Sequence, residues 1–200
     1  AFYNFMNHAD FGMGTWYPKG GFNSVAKGMQ KLAEELGVKF MVNEEVTEIF
    51  TEDNEAKSVI TKNSVFEADI VISGADYAHT ETLLKQTERN YTVDYWQKKT
   101  FAPSSFLYYV AFDKKVPQLQ HHNLFFDTDF EKHAGEIYDT KTLPKKPLFY
   151  ANFSSKTDDS LCPDGKEIGF FLIPVAVDLE DSPEIQNQYF EVIMKKKKKN

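Results

Sequence analysis

Cysteine is almost absent from this chain: Cys162 stands alone among 200 residues. One thiol excludes an internal disulfide and any metal centre built on several cysteines. Its place before Pro163, Asp164 and Gly165 reads as that of a loop thiol. Long apolar runs are missing too. No stretch approaches the roughly 20 residues of a membrane-spanning helix. The opening Ala1-Phe2-Tyr3-Asn4 has neither the basic start nor the apolar stretch of a secretory signal. Positive charge is scarce. The formal net charge is −7. Without Lys195 to Lys199, which break the preceding pattern and resemble an appended tag, 18 basic residues face 30 acidic ones, a net −12. Such a balance argues against nucleic acid as a partner, because a binding face must neutralise phosphates. A local basic patch facing a membrane is compatible with it.

Some motifs are lacking as well. There is no phosphate-cradling G-x-x-x-x-G-K loop. Ser154-Ser155 has no His and Asp pattern that would make a serine nucleophile. His121-His122 does not read as a metal site, since neighbours in a strand point to opposite faces. What the chain has in plenty is aromatic: 18 Phe and 10 Tyr, within a hydrophobic fraction of 42%. That is enough apolar surface for a folded core. The same residues fit a Phe-rich interior or the wall of a site for an apolar ligand.

Patterning predicts a helix over 23–36, where Phe22, Val25, Met29, Leu32, Ala33 and Leu36 recur at helical spacing. Asn23 or Ser24 would cap its start and Gly37 its end. A short strand is expected at 38–42. A meander follows at 46–50, 58–61 and 64–66, turning at Glu52-Asp53-Asn54-Glu55. The continuous apolar run Asp69-Ile70-Val71-Ile72-Ser73 reads as a strand buried on both faces. Beyond residue 76 helices are expected at 78–85, 92–99, 130–138 and 182–194, with strands at 105–112, 124–126, 148–153 and 168–177. Within 105–112, Phe106, Tyr108, Val110 and Phe112 share one face, while Leu107, Tyr109 and Ala111 share the other. The expected class is an α/β layer joined to a strand-rich α+β lobe.

Gly14-Thr15-Trp16-Tyr17-Pro18-Lys19-Gly20-Gly21 precedes the first long helix. Two glycines there bring the backbone close to whatever lies beside it, and an anion or a flavin edge would fit. A tight loop-to-helix turn without any ligand explains the same residues.

The string Trp16-Tyr17-Pro18-Lys19-Gly20-Gly21 resembles the central segment of phytoene desaturases. So do the helix ending Leu32-Ala33-Glu34-Glu35-Leu36-Gly37-Val38, the run Asn43 to Ile49, and Ala68 to Asp76. Pro117-Gln118-Leu119, His121-His122-Asn123-Leu124 and Leu172-Ile173-Pro174-Val175 resemble that family's substrate-domain strands. The similarity runs over nearly all of residues 10–194 and implies an internal piece of a longer flavoprotein. The implied fold is a partial FAD-binding, Rossmann-like layer with a β-meander, joined to a strand-rich substrate lobe. The implied segments are 1–19 (a crossover and flavin-proximal loop), 20–76 (part of the FAD-binding domain), 77–194 (the substrate lobe) and 195–200 (a tag).

The resemblance implies an FAD-dependent oxidoreductase that desaturates a long isoprenoid hydrocarbon. Hydride passes to the flavin, and a second hydrogen leaves as a proton. Gly20, Gly21, Val46, Gly74, Ala75 and Asp76 are the implied cofactor-contacting residues. Trp16, Tyr17, Phe106, Tyr108 and Phe112 are the candidates for substrate, and no catalytic residue is singled out. The family's G-x-G-x-x-G unit, which binds the pyrophosphate, is not in this sequence, and Gly12-Met13-Gly14 is no substitute. The 200-residue chain alone is therefore expected to bind no flavin and to be inactive. A related carotenoid oxygenase, ketolase or isomerase, a retinol-saturase-like enzyme, and a non-enzymatic module binding an apolar ligand stay open. A lipid-soluble substrate leads to the expectation of a cytoplasmic enzyme peripherally bound to membranes, with Tyr91 to Phe101 as its footprint.

Overall fold

The computed structural model describes residues 2–197. The chain forms two compact units, residues 1–32 with 101–200 and residues 33–100. Residues 77–100, grouped by sequence with the strand-rich lobe, cluster with the meander instead. Of the expected tag, residues 195–197 continue the last helix, and 198–200 lie outside the described residues.

The chain starts with α1 (Phe2–His8), which runs into a π-helical turn at Ala9–Met13. Next comes α2 (Phe22–Glu35), close to the predicted span. It begins one residue early, so Asn23 and Ser24 lie within its first turn rather than capping it. Its end is as expected. Gly37 takes a left-handed φ of 89°. The Gly37 and Val38 N–H groups then donate to the Glu34 and Ala33 carbonyls at 3.0 Å each, the paired bonds of a glycine cap. The apolar stripe of α2 is uncovered: Phe22, Met29 and Leu36 are each at least 70% exposed.

In the second unit β1 (Val46–Glu52) and β2 (Glu55–Thr61) form a hairpin. Asp53 and Asn54 both have positive φ. That is the two-residue geometry that suits right-twisted strands. β3 (Val65–Glu67) pairs antiparallel with β2 and completes a three-stranded sheet. Two expected strands are not formed. Residues 38–42 and 69–73 pair with no strand. Ile70 and Ile72 are 77% and 90% exposed. An apolar run becomes a buried strand only when neighbours supply hydrogen bonds on its flanks and apolar cover on its faces. Among the described residues none does so here. α3 (Tyr77–Thr82) is capped by Asp76, and α4 (Val93–Gln97) by Thr92.

The first unit holds β4 (Ser104–Phe112), β5 (His122–Phe125), α5 (Phe130–Tyr138), β6 (Phe149–Asn152), β7 (Glu167–Val175) and α6 (Pro183–Lys197). Its sheet runs β4-β7-β6-β5, and every neighbouring pair is antiparallel. The core lies on one face, where Phe149, Ala151, Phe171 and Ile173 meet Tyr189 and Ile193 of α6. Each large side chain buried there contributes about 1.5–3 kcal/mol. Tyr189 Oη donates to the Pro144 carbonyl at 2.6 Å, and burial pushes its pKa up. At the start of β7 the buried Glu167 accepts from Lys156 Nζ (2.8 Å) and from Val116 N–H (2.6 Å). This charged clamp ties the loop after β4 to β7.

Candidate functional site

The glycine-rich loop before α2 is closed on itself and anchored from afar. Gly20 and Gly21 have φ values of 80° and 75°. A Cβ on Gly20 would stand 2.5 Å from Ser24 Oγ, so the turn itself demands glycine. The Gly21 N–H donates to the Pro18 carbonyl at 2.9 Å. The Gly20 N–H donates to Asp158 Oδ2 at 2.7 Å. The other Asp158 oxygen accepts from Ser160 Oγ at 2.6 Å and Ser160 N–H at 3.1 Å. The Ser160 hydroxyl first, and the Gly20 N–H next, hold the Asp158 carboxyl below the usual carboxylate range. Tyr17 sits edge-on to His121 with ring centroids 4.9 Å apart. Trp16 is 85% exposed, its indole N–H donating to the Met13 carbonyl.

The four-stranded sheet has one covered and one open face. Phe106, Tyr108 and Phe112, expected to line a substrate site, lie on the covered one. Phe106 packs on Tyr189, Tyr108 on Phe190, and Phe112 on Phe153. Tyr108 Oη also donates to the Gln186 carbonyl. These three rings are thereby part of the packing between the sheet and its cover. Strand alternation separates two sets of side chains but does not say which set α6 will cover.

The open face carries the opposite set. Register places Leu107 against Leu172 and Tyr109 against Phe170, then Leu172 against Tyr150, and Tyr150 against Leu124. Centroid distances of 5.2 Å (Tyr109–Phe170), 6.5 Å (Phe170–Tyr150) and 6.0 Å (Tyr150–His122) form a line of rings across all four strands. Sequence reasoning missed Tyr109, Leu172, Tyr150 and His122. The signal was the second set of the β4 alternation, and the aromatic or branched partners at matching positions of the other strands.

This line ends in polar groups. His122 Nδ1 lies 2.6 Å from Tyr150 Oη, and Asn152 Nδ2 donates to the same oxygen at 3.1 Å. Next to them His121 Nδ1 lies 2.7 Å from Thr157 Oγ1. His121 Nε2 is buried and has no hydrogen-bond partner among the described residues. Burial, and then the charge of His122, push the His121 pKa down.

The second unit holds the other implied cofactor residues. Val46 opens β1, and Gly74 and Ala75 lead to Asp76. β1 reaches the end of α3 through the Ile49 N–H, which donates to the Leu83 carbonyl at 2.9 Å. The Asp76 carboxylate accepts from the His79 N–H, and Ser73 Oγ accepts from the Ala75 N–H. Nothing lies within 4 Å of a Cβ built on Gly74. In the stretch expected to face a membrane, Trp96 is already engaged. Its indole N–H donates to the buried Glu81 at 2.8 Å, and its ring meets Tyr77, Tyr91 and Tyr95 edge-on. Tyr91 and Phe101 remain partly exposed, at 38% and 43%.

Residues 1–187 match the family model of the flavin containing amine oxidoreductases. The chain belongs to that family. Among curated members it is 41% identical to the carotenoid 3,4-desaturase of Haloarcula japonica, over 97% of this chain and 39% of that protein. It is 30% identical to the zeta-carotene-forming phytoene desaturase of Myxococcus xanthus, over 95% of this chain and 38% of that protein. It is 32% identical to the phytoene desaturase of Phycomyces blakesleeanus, over 88% of this chain and 30% of that one. The chain thus spans between three tenths and two fifths of the length of these relatives. The fold is shared with a solved oxidoreductase from Methanosarcina mazei, with a TM-score of 0.58 at 20% identity, over 88% of this chain and 37% of that one.

The family is flavin containing, and the residues implied for the cofactor differ in how open they are. The open space beside Gly74 admits close approach of a ligand to the backbone. The Gly20 and Gly21 N–H groups do not fit as anion donors, because protein acceptors already engage them. Both sheets are antiparallel, so no parallel β-α-β unit for the pyrophosphate exists among the described residues.

Proposed function

We propose that this chain is part of a longer FAD-dependent desaturase acting on an acyclic carotenoid, and that the open face of the β4-β7-β6-β5 sheet is its contribution to the substrate wall. The observation that carries this reading is the line of rings on that face, in a chain 41% identical to a carotenoid 3,4-desaturase. A hydrocarbon offers almost no hydrogen-bonding handle, so it is recognised by shape and apolar contact. A strip of rings and Leu side chains crossing four strands supplies both.

Bound flavin would supply the redox chemistry by accepting hydride. Val46 and Gly74 to Asp76 would lie along the nucleotide. Asp158 and His121 would hold the Tyr17 to Gly21 loop in one position, which keeps the flanking Trp16 and Tyr17 rings in a fixed place. Residues 20–76 are taken as part of the flavin domain and the strand-rich segment after residue 100 as the substrate lobe. The test is the full-length reading frame in a host that accumulates phytoene. Wild type is expected to yield a more unsaturated pigment, and Leu172→Asp, which puts a charge on the open face, is expected to leave phytoene unconverted. Full conversion by Leu172→Asp would remove the sheet face from the substrate site.

We propose also that the full-length enzyme works at a membrane surface in the cytoplasm, since its inferred substrate dissolves in lipid. Phe101 and Tyr91 support this reading through their exposure, with Lys98 and Lys99 beside them in sequence. Liposome flotation of the full-length protein measures it. Phe101→Asp should reduce the floating fraction, and absence of the wild-type protein from the floating layer would end the idea.

A further inference from the structure

We propose that the β5 edge of the four-stranded sheet docks on a bilayer surface bearing anionic phospholipid headgroups. The inference rests on the reading that the full-length enzyme works at a membrane surface; it adds a contact beyond Phe101 and Tyr91 and names the lipid class. β5 is the outermost strand on one side of the sheet. Phe125 turns inward and stacks on Phe149, with ring centroids 4.4 Å apart. Its neighbours Leu124 and Phe126 turn outward, and Phe130 opens α5 close by. All three are at least 61% exposed. The Phe126 and Phe130 rings meet edge-on at 6.5 Å, so they form a patch and not scattered side chains. Leu124 pairs with Tyr150, which makes this patch continuous with the line of rings on the open sheet face.

A basic pocket adjoins the patch. Lys132 of α5, with Lys145 and Lys146 of the loop before β6, lines a cavity of about 120 Å³ together with Thr128 and the buried His133. The three lysines are exposed, and among the described residues no ion pair engages them. Two carboxylates share the lining. Asp129 caps α5, accepting the Lys132 N–H at 3.0 Å, and Glu136 is opposed by three ammonium groups. Positive charge thus gathers at one place in a chain of net charge −7, and it complements phosphates on a negatively charged bilayer. Rings that sink to the headgroup level and lysines that meet the phosphates are the two contacts of an interfacial anchor. A lipid-soluble substrate leaving the bilayer beside Phe126 and Phe130 would pass Leu124 onto the Tyr150 end of the open face.

Flotation of the full-length protein tests this, with vesicles of phosphatidylcholine alone and of phosphatidylcholine mixed equally with phosphatidylglycerol. Wild type should bind the mixed vesicles more strongly, and added salt should remove the difference. Lys145→Gln with Lys146→Gln should weaken partitioning into mixed vesicles about 25-fold, or about fivefold per lysine, and leave partitioning into phosphatidylcholine unchanged. Phe126→Ser with Phe130→Ser should weaken both, with an unchanged urea midpoint because these rings lie on the surface. Equal partitioning of wild type into the two kinds of vesicle, or wild-type behaviour of either variant, would overturn the proposal while leaving membrane binding through Phe101 standing. A lower urea midpoint for the phenylalanine pair would overturn it too, since the patch would then be covered by protein. So would a wild-type dimer that the same pair abolishes. Absence of the wild-type protein from both floating layers would end the membrane reading itself, and this surface with it.

Discussion

Asp158 shows how one carboxylate can set the position of a distant loop. Its two oxygens join the Ser160 turn to the Gly20 N–H, 138 residues earlier in the chain. Because its folded pKa is depressed, the tether is fully present above the carboxyl's unfolded value of about 3.9. It is lost as the pH falls through the lower, folded value. The Gly20 amide resonance should therefore titrate at a pH below the ordinary aspartate range. In Asp158→Asn that titration should vanish. A Gly20 amide that moves with an ordinary aspartate midpoint, or not at all, would contradict the tether. Glu81 illustrates the same economy: it accepts the Asn90 and Tyr91 N–H groups and the Trp96 indole. A Trp read from sequence as a membrane anchor is thereby part of a local scaffold.

At the scale of elements, β7 is the most demanding strand. It pairs with β4 along its whole length and with β6 over Phe170 to Leu172. Gly169 lies where Phe112, Phe171 and Phe153 converge, and a Cβ there would be 2.9 Å from Phe112 Cε2. Gly169→Ala should destabilise the chain by about 1–3 kcal/mol through overpacking, read as a lower urea midpoint with an unchanged slope. An unchanged midpoint would mean that the rings yield freely.

Most elements were legible in the sequence, because capping residues, the Asp53-Asn54 turn and strand alternation are local signals. Asp129 before α5 and Gly37 after α2 act where local rules place them. Two kinds of statement were not legible. Strand alternation leaves open which β4 face α6 covers, and it is the Phe106, Tyr108 and Phe112 face that packs inward. The strands expected at 38–42 and 69–73 rested on apolar composition, which gives cover its value only when a partner is present. Their exposed Ile70, Ile72, Phe40 and Val42 fit a role in a longer protein. The cluster of His122, Tyr150 and Asn152 depends on pairing between β5 and β6, a contact across 28 to 30 residues that no local motif announces.

For the whole molecule, family membership and the open sheet face meet in a single proposal: in the full-length enzyme, an acyclic carotenoid on that face would lose hydride to flavin. Anaerobic mixing of the purified, flavin-loaded enzyme with phytoene tests this most directly, because no other oxidant is present. The account predicts bleaching of the oxidised flavin together with one new carbon–carbon double bond per flavin reduced. Flavin that stays oxidised while phytoene is bound, or a product that requires oxygen to form, would contradict it.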